Sequence, residues 1–336
     1  MTVPFSVLDL APVVSGSTSA QALRNTLDLA RHTEDLGYHR YWLAEHHAMP
    51  GIASSATAVL IGQVAAATGR MRVGSGGIML PNHAPMVVAE QFGTLEGLYP
   101  GRIDLGLGRA PGTDQPTARA LRRSAEAMSV DDFPEQVAEL RSYFDPASKV
   151  TPAAGNGPPV WLLGSSGYSA RLAGLLGLPF AFAHHFSGQH TLPALRLYRD
   201  SFRPSEVLDA PYALIGVSVT AADDDATARE LARPQALQFL RLRQGLPGPL
   251  PTPREVADQP LSPVEQDLVR SRLDDQIIGG PDTVRAKLDA LLERTAADEV
   301  MITTSVFDHA DRLRSYALVS EIYGFAPRAA ARAEIA

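Results

Sequence analysis

The chain of 336 residues contains no cysteine. That absence excludes a disulfide scaffold, a cysteine-based zinc site, an iron–sulfur cluster and a cysteine nucleophile. Lysine is almost as scarce, with Lys149 and Lys287 its two occurrences. Lys149 falls in a Pro/Ala/Gly-rich loop and Lys287 in a helical stretch that is polar on one side. Neither stands at a strand end facing a pocket, which argues against Schiff-base and pyridoxal chemistry. Positive charge is short as well: 30 Lys and Arg against 37 Asp and Glu leave a formal charge of −7. A nucleic-acid binder needs a basic face for phosphates, so that class is disfavoured. No apolar run approaches bilayer length, and no charged segment followed by an apolar one opens the chain, so the protein reads as soluble and cytoplasmic. What the chain does have is apolar residues, 45% of the total against 20% charged, which is enough for a large core and excludes disorder as its dominant state.

The apolar residues are arranged in alternation. Short runs recur at Val3–Leu8, Tyr41–Ala44, Arg72–Met79, Ile103–Gly108, Val160–Leu163, Phe180–Ala183, Ala213–Val219 and Glu299–Thr304. Helical periodicity fills the segments between them. Leu23, Leu27 and Ala30 share one face behind a Thr18/Gln21 capping-box spacing. Val88, Phe92, Leu95 and Leu98 share another, with Pro85 suited to a first helical turn. Eight strand candidates, each followed by a helix, predict a single (β/α)8 barrel over residues 1–336. A doubly wound sheet is the competing architecture, but Asp9-Leu10-Ala11-Pro12 after the first strand cannot cradle a pyrophosphate. An insertion precedes the last strand, at residues 245–276. Its proline density from Gly245 to Pro263 predicts irregular chain there and a short helix over Val264–Leu273. It is either a surface excursion or a lid over the barrel mouth.

A barrel does its chemistry at the C-terminal ends of its strands. The second candidate strand ends in Glu45-His46-His47, a carboxylate and two imidazoles able to exchange protons near neutral pH. The third carries Gly74, Gly76 and Gly77, which mark either a bulge or a wall against which a flat ligand lies. The fourth runs directly into Arg109, placed to grip an anion or to pair with Asp114. The fifth ends in Gly164-Ser165-Ser166-Gly167 and opens a helix, offering N–H groups, hydroxyls and a positive dipole end to a phosphate. The sixth ends in His184-His185. These two with His46 and His47 could gather a metal. The sequence lacks the His-x-His of barrel metallohydrolases, and neighbouring side chains on a strand face opposite ways. An organic anion with a flat ring is therefore expected in place of a metal.

Together, Ala44–His47, Gly74–Pro81 with His83 and Pro85, and Tyr99–Arg109 resemble the bacterial luciferase-like flavin monooxygenases. Leu8–Pro12 and Gly164–Ser166 place the likeness in their single-chain, non-luminescent branch. It covers most of residues 1–220 and, more loosely, Ile277–Tyr323. The resemblance implies a TIM barrel that binds reduced FMN at its C-terminal face. The flavin comes from a separate flavin reductase and is used with O2 to oxidise a small organic substrate. His46 matches the catalytic histidine. Arg109 and the Ser165–Ser166 turn, with Gly164 and Gly167 beside it, match phosphate contacts. Gly76–Gly77 match a pair joined by a cis peptide under the flavin ring. Glu45, His184 and His185 are expected in the substrate pocket wall, and a homodimer is expected. The luminescent enzymes carry a cysteine where this chain has Gly108, which argues against light emission but not against flavin binding. Two alternatives stay open: a deazaflavin coenzyme used for hydride transfer, and flavin binding without catalysis. A basic channel formed by Arg109, Arg119, Arg122 and Arg123 would favour the first, and the presence of His46 weighs against the second.

Overall fold

The computed structural model describes residues 3–110, 115–121 and 132–325. Ten strands form in chain order. They are β1 (Phe5–Asp9), β2 (Arg40–Leu43), β3 (Arg72–Ser75), β4 (Ile78–Met79) and β5 (Ile103–Gly108), followed by β6 (Val160–Gly164), β7 (Phe180–Phe182), β8 (Ala213–Ala221), β9 (Ile277–Gly279) and β10 (Glu299–Thr303). All pairings are parallel. The sheet runs β1-β2-β3-β5-β6-β7-β8-β10 and closes where Phe5 pairs with Val300. Each of the eight runs found in the sequence supplies one of the eight barrel strands, and the fold is a closed (β/α)8 TIM barrel.

Period-two alternation sorts the side chains into two layers. Leu8, Trp42, Trp161, Ala181, Leu214 and Met301 fill the barrel interior. Their neighbours Val7, Tyr41, Leu162, Phe180, Ile215 and Ile302 pack outward into the main core, which the helices cover. Trp42 and Trp161 meet edge to face at 5.1 Å between ring centroids. Close neighbours explain the glycines of the third run: a Cβ on Gly74 would lie 2.4 Å from the Asp104 carbonyl oxygen, one on Gly76 2.7 Å from Leu8 Cδ1, and one on Gly77 2.8 Å from the Gly106 carbonyl oxygen.

That third run is not one strand. Val73 pairs with Ile103 but Ile78 with Leu107, so five steps on one side oppose four on the other. The extra residue is absorbed as a bulge, where the Ser75 hydroxyl donates to the Gly106 carbonyl (2.8 Å) and accepts from the Gly106 N–H (2.9 Å). The peptide between Gly76 and Gly77 is cis.

The N-terminal ends of the strands are sealed by buried charge. Arg40 donates to Glu299 through Nε (2.7 Å) and to Asp104 through Nη1 (2.7 Å). Trp42 Nε1 and Arg72 also donate to Asp104, and Ser6 and Tyr212 donate to Glu299. This end has no open chemistry, so the opposite mouth carries it.

Two local expectations need correction. Thr18 caps the helix Ser19–Asp35 by accepting from the Gln21 N–H, but Gln21 turns its side chain to Asn25 and does not complete a capping box. The insertion is more regular than its prolines suggested. Helices form at Pro253–Asp258 and Pro263–Asp274, each behind a full capping box, Thr252/Glu255 and Ser262/Glu265. Both prolines occupy the first helical position, where no N–H is needed. The insertion then returns to the barrel through β9, whose Ile277 pairs with Val219 at the outer end of β8.

Candidate functional site

The strand ends converge on two adjoining pockets at the C-terminal mouth. The first, of about 300 Å³, is lined by Gly76, Gly77, Met79, Arg109, Leu163 and the Gly164–Ser166 turn, among others. The second, of about 230 Å³, lies under the helix Asp225–Arg243 and the insertion. His46, His185 and Phe186 line both.

One end of the first pocket is lined by groups able to seat an anion. Ser166 begins the helix Gly167–Leu176 in an extended conformation and gives its first turn no side-chain cap. Uncapped N–H groups at a helix start attract negative charge. Across from them Arg109 lies half-buried, its guanidinium carbon 4.0 Å above the Tyr168 ring. No acidic partner of Arg109 is found among the described residues. Asp114, Arg122, Arg123 and the side chain of Arg119 lie outside those residues, so the suggested ion pair and basic channel do too.

Histidines set the boundary between the pockets. His46 Nδ1 is buried without a hydrogen-bond partner, and burial lowers the pKa of the ring, with Glu45 partly opposing it. His185 is pushed down to about 4, chiefly by burial. It is therefore neutral at pH 7. Its Nδ1 lies 3.0 Å from the Gly216 carbonyl and must be the donor, which leaves Nε2 as an acceptor.

The other predicted residues are placed elsewhere. Glu45 is buried and accepts from His47 (2.9 Å) and His83 (2.8 Å) on the same carboxylate oxygen. Burial would raise its pKa, but those hydrogen bonds and charges hold it below the usual carboxylate range. Glu45 thus orients two imidazoles and does not line either pocket. His184 turns to Thr191, with Nδ1 2.7 Å from its hydroxyl. The two sit in a short helix, His184–Ser187, and not on a strand, so their divergence follows helical spacing. Of each predicted pair, one imidazole reaches the mouth: His46 and His185. His46, His47, His184 and His185, weighed above as a competing metal set, do not come together as one. Glu45, His47 and His83 are the described residues close enough to share a cation, their ligand atoms lying within 4.8 Å.

Sequence reasoning missed three polar residues of the second pocket, Gln235, Gln238 and Arg272. Arg272 neighbours Leu273 and lies three residues from Val269. That spacing puts it on the inner face of its helix, a signal available but easily read as solvated charge.

The profile of the luciferase-like monooxygenases matches residues 3–299, and the chain belongs to that family. It is 58% identical over 324 residues to the uncharacterized protein YvbT of Bacillus subtilis, covering 95% of this chain and 96% of that one. It is 52% identical over 326 residues to a luciferase-like monooxygenase of Escherichia coli K12, covering 96% and 97%. The apo-MsnO8 crystal structure superposes with a TM-score of 0.90 at 39% identity, covering 97% and 100%. More distant structures share the fold alone. They include the FMN-bound oxygenating constituent of 3,6-diketocamphane monooxygenase from the CAM plasmid of Pseudomonas putida (TM-score 0.72, 18%) and an F420-dependent secondary alcohol dehydrogenase (0.65, 14%). Among the described residues no helix is long and apolar enough to cross a membrane.

Proposed function

We propose that the protein is the oxygenase of a two-component system, taking reduced FMN from a separate flavin reductase and using O2 to oxidise a small organic substrate. The observation that carries this reading is the pairing of an anion seat with a ring-sized wall in one pocket. Arg109, Ser165, Ser166 and the uncapped helix start would hold the phosphate. Gly76, Gly77, Met79 and Leu163 would line the ring. When bound, the reduced flavin supplies the electrons that activate oxygen. The chain's own residues bind, orient and exclude water. His46, neutral and with a buried nitrogen uncommitted, would hold or move a proton at the flavin edge. The insertion would close the second pocket after the substrate enters. A cytoplasmic homodimer belongs to the same reading, on the family likeness.

A deazaflavin coenzyme is the competing occupant, since an F420 enzyme shares the fold. Titration with FMN, riboflavin and the deazaflavin coenzyme separates the two. FMN should bind tightest, and Arg109→Ala should weaken FMN about ten- to a hundred-fold, by one charge-assisted bond, while sparing riboflavin. Equal losses for both flavins, or tightest binding of the deazaflavin, would defeat the proposal.

A further inference from the structure

The second pocket holds a charge that the flavin reading does not use. Its walls are largely apolar, with Leu10, Pro12, Met49, Ile52, Leu242 and Pro247 among them. Among the described residues no acidic side chain lines it, and its two histidines are His46 and His185, the second neutral as argued above. Among the described residues the one cation lining it is Arg272, from the insertion. The guanidinium carbon lies 4.6 Å from the Phe239 ring centroid, and Nη1 donates to the His185 carbonyl at 3.2 Å. Its Nε is buried and has no partner. Asp275 acts on it electrostatically but forms no salt bridge with it. A half-buried guanidinium with no carboxylate in contact is costly, and a ligand that brings one reduces the cost. Beside it, Gln235 accepts from Gln276 through Oε1, which leaves its amide N–H groups to donate to an anion.

We infer that the second pocket takes an amphipathic carboxylate, with Arg272 gripping the carboxylate and the apolar body running toward the His46–His185 boundary. Arginine suits the task because its planar fork matches a carboxylate and its weak hydration tolerates burial. That this ligand is the molecule oxidised rests on the flavin reading. That it binds does not.

The test uses the full chain without flavin. Calorimetry measures octanoate against octanamide, two probes alike in length and differing in charge. Octanoate should bind about ten- to a hundred-fold tighter, as one charge-assisted contact allows. Arg272→Met should erase that preference while octanamide still binds. Arg272→Lys should keep part of it, since the charge remains and the fork is lost. Equal affinity of the two probes for the wild-type chain overturns the inference, and that comparison needs no variant to fold. So does a preference that survives in Arg272→Met. Loss of FMN affinity in Arg272→Met with the octanoate preference intact would assign Arg272 to the cofactor instead. A protein that prefers octanoate but binds no flavin would sink the oxygenase reading and leave this one standing.

Discussion

His185 is a base whose surroundings keep the proton away. Burial outweighs the Gly216 carbonyl that would favour the charged form, and Arg272 and His46 add to the same effect. The consequence for stability has a definite sign. An unfolded histidine protonates below about 6.5, and the folded one resists until about 4. The unfolded state therefore binds the extra proton in that window, and stability falls as the pH drops from about 6.5 to about 4. Urea melts across this range should show the loss in the wild type and a shallower slope in His185→Gln. Identical slopes would mean that His185 titrates normally. The sequence made this histidine visible as one of a pair, but not which of the pair faced the pocket. That depended on the chain turning into a helix at His184, one residue after Ala183. Likewise the Glu45 carboxylate was legible as a strand-end acid, while its use on His83 was not. The two are 38 residues apart and meet across the mouth.

At the scale of elements, the eight barrel strands were legible because each is a short apolar run bounded by helical pattern. The break between β3 and β4 was not, since Arg72–Met79 is continuously compatible with a strand and only the register against β5 exposes the bulge. The insertion was misread in part for a local reason. Proline was counted as a breaker, although Pro253 and Pro263 sit where a helix begins. The segment is well built, yet Arg254 on it has a side chain 91% exposed, an accessible site for trypsin. If the insertion closes over bound ligand, cleavage at Arg254 should slow when FMN and a substrate analogue are added together. Cleavage indifferent to both, with turnover intact after the cut, would show a static ornament.

At the scale of the molecule, the two ends of the barrel have separate duties. The charged seal at the N-terminal ends is bonded throughout: Arg40 serves Glu299 and Asp104, and Arg72 also serves Asp104. Removing Arg40 leaves Glu299 buried with no cationic partner among the described residues, while Asp104 keeps Arg72, a loss of about 3–5 kcal/mol. Arg40→Ala should therefore lower the urea midpoint sharply. FMN affinity of the molecules that remain folded should not change, because the proposed flavin seat lies at the opposite mouth. A variant equally stable, or one folded but unable to bind FMN, would contradict this division. Fold class was readable from the number of βα units, whereas the seal was not. Arg40, Asp104 and Glu299 are dispersed along the chain and become a cluster only when the barrel closes.

The long strand β8 gives the molecule one more property. Its first part pairs with β10 inside the barrel and its last three residues pair with β9. The helix Asp225–Arg243 leaves from the same strand that the insertion returns to. Residues 222–276 are thus one excursion that leaves the end of β8 and comes back to pair with it. Barrel closure does not pass through them, and a change in loop length adds little closure entropy. Selection could rewrite the ceiling of the second pocket, and with it the range of molecules admitted, while leaving the proposed cofactor seat alone.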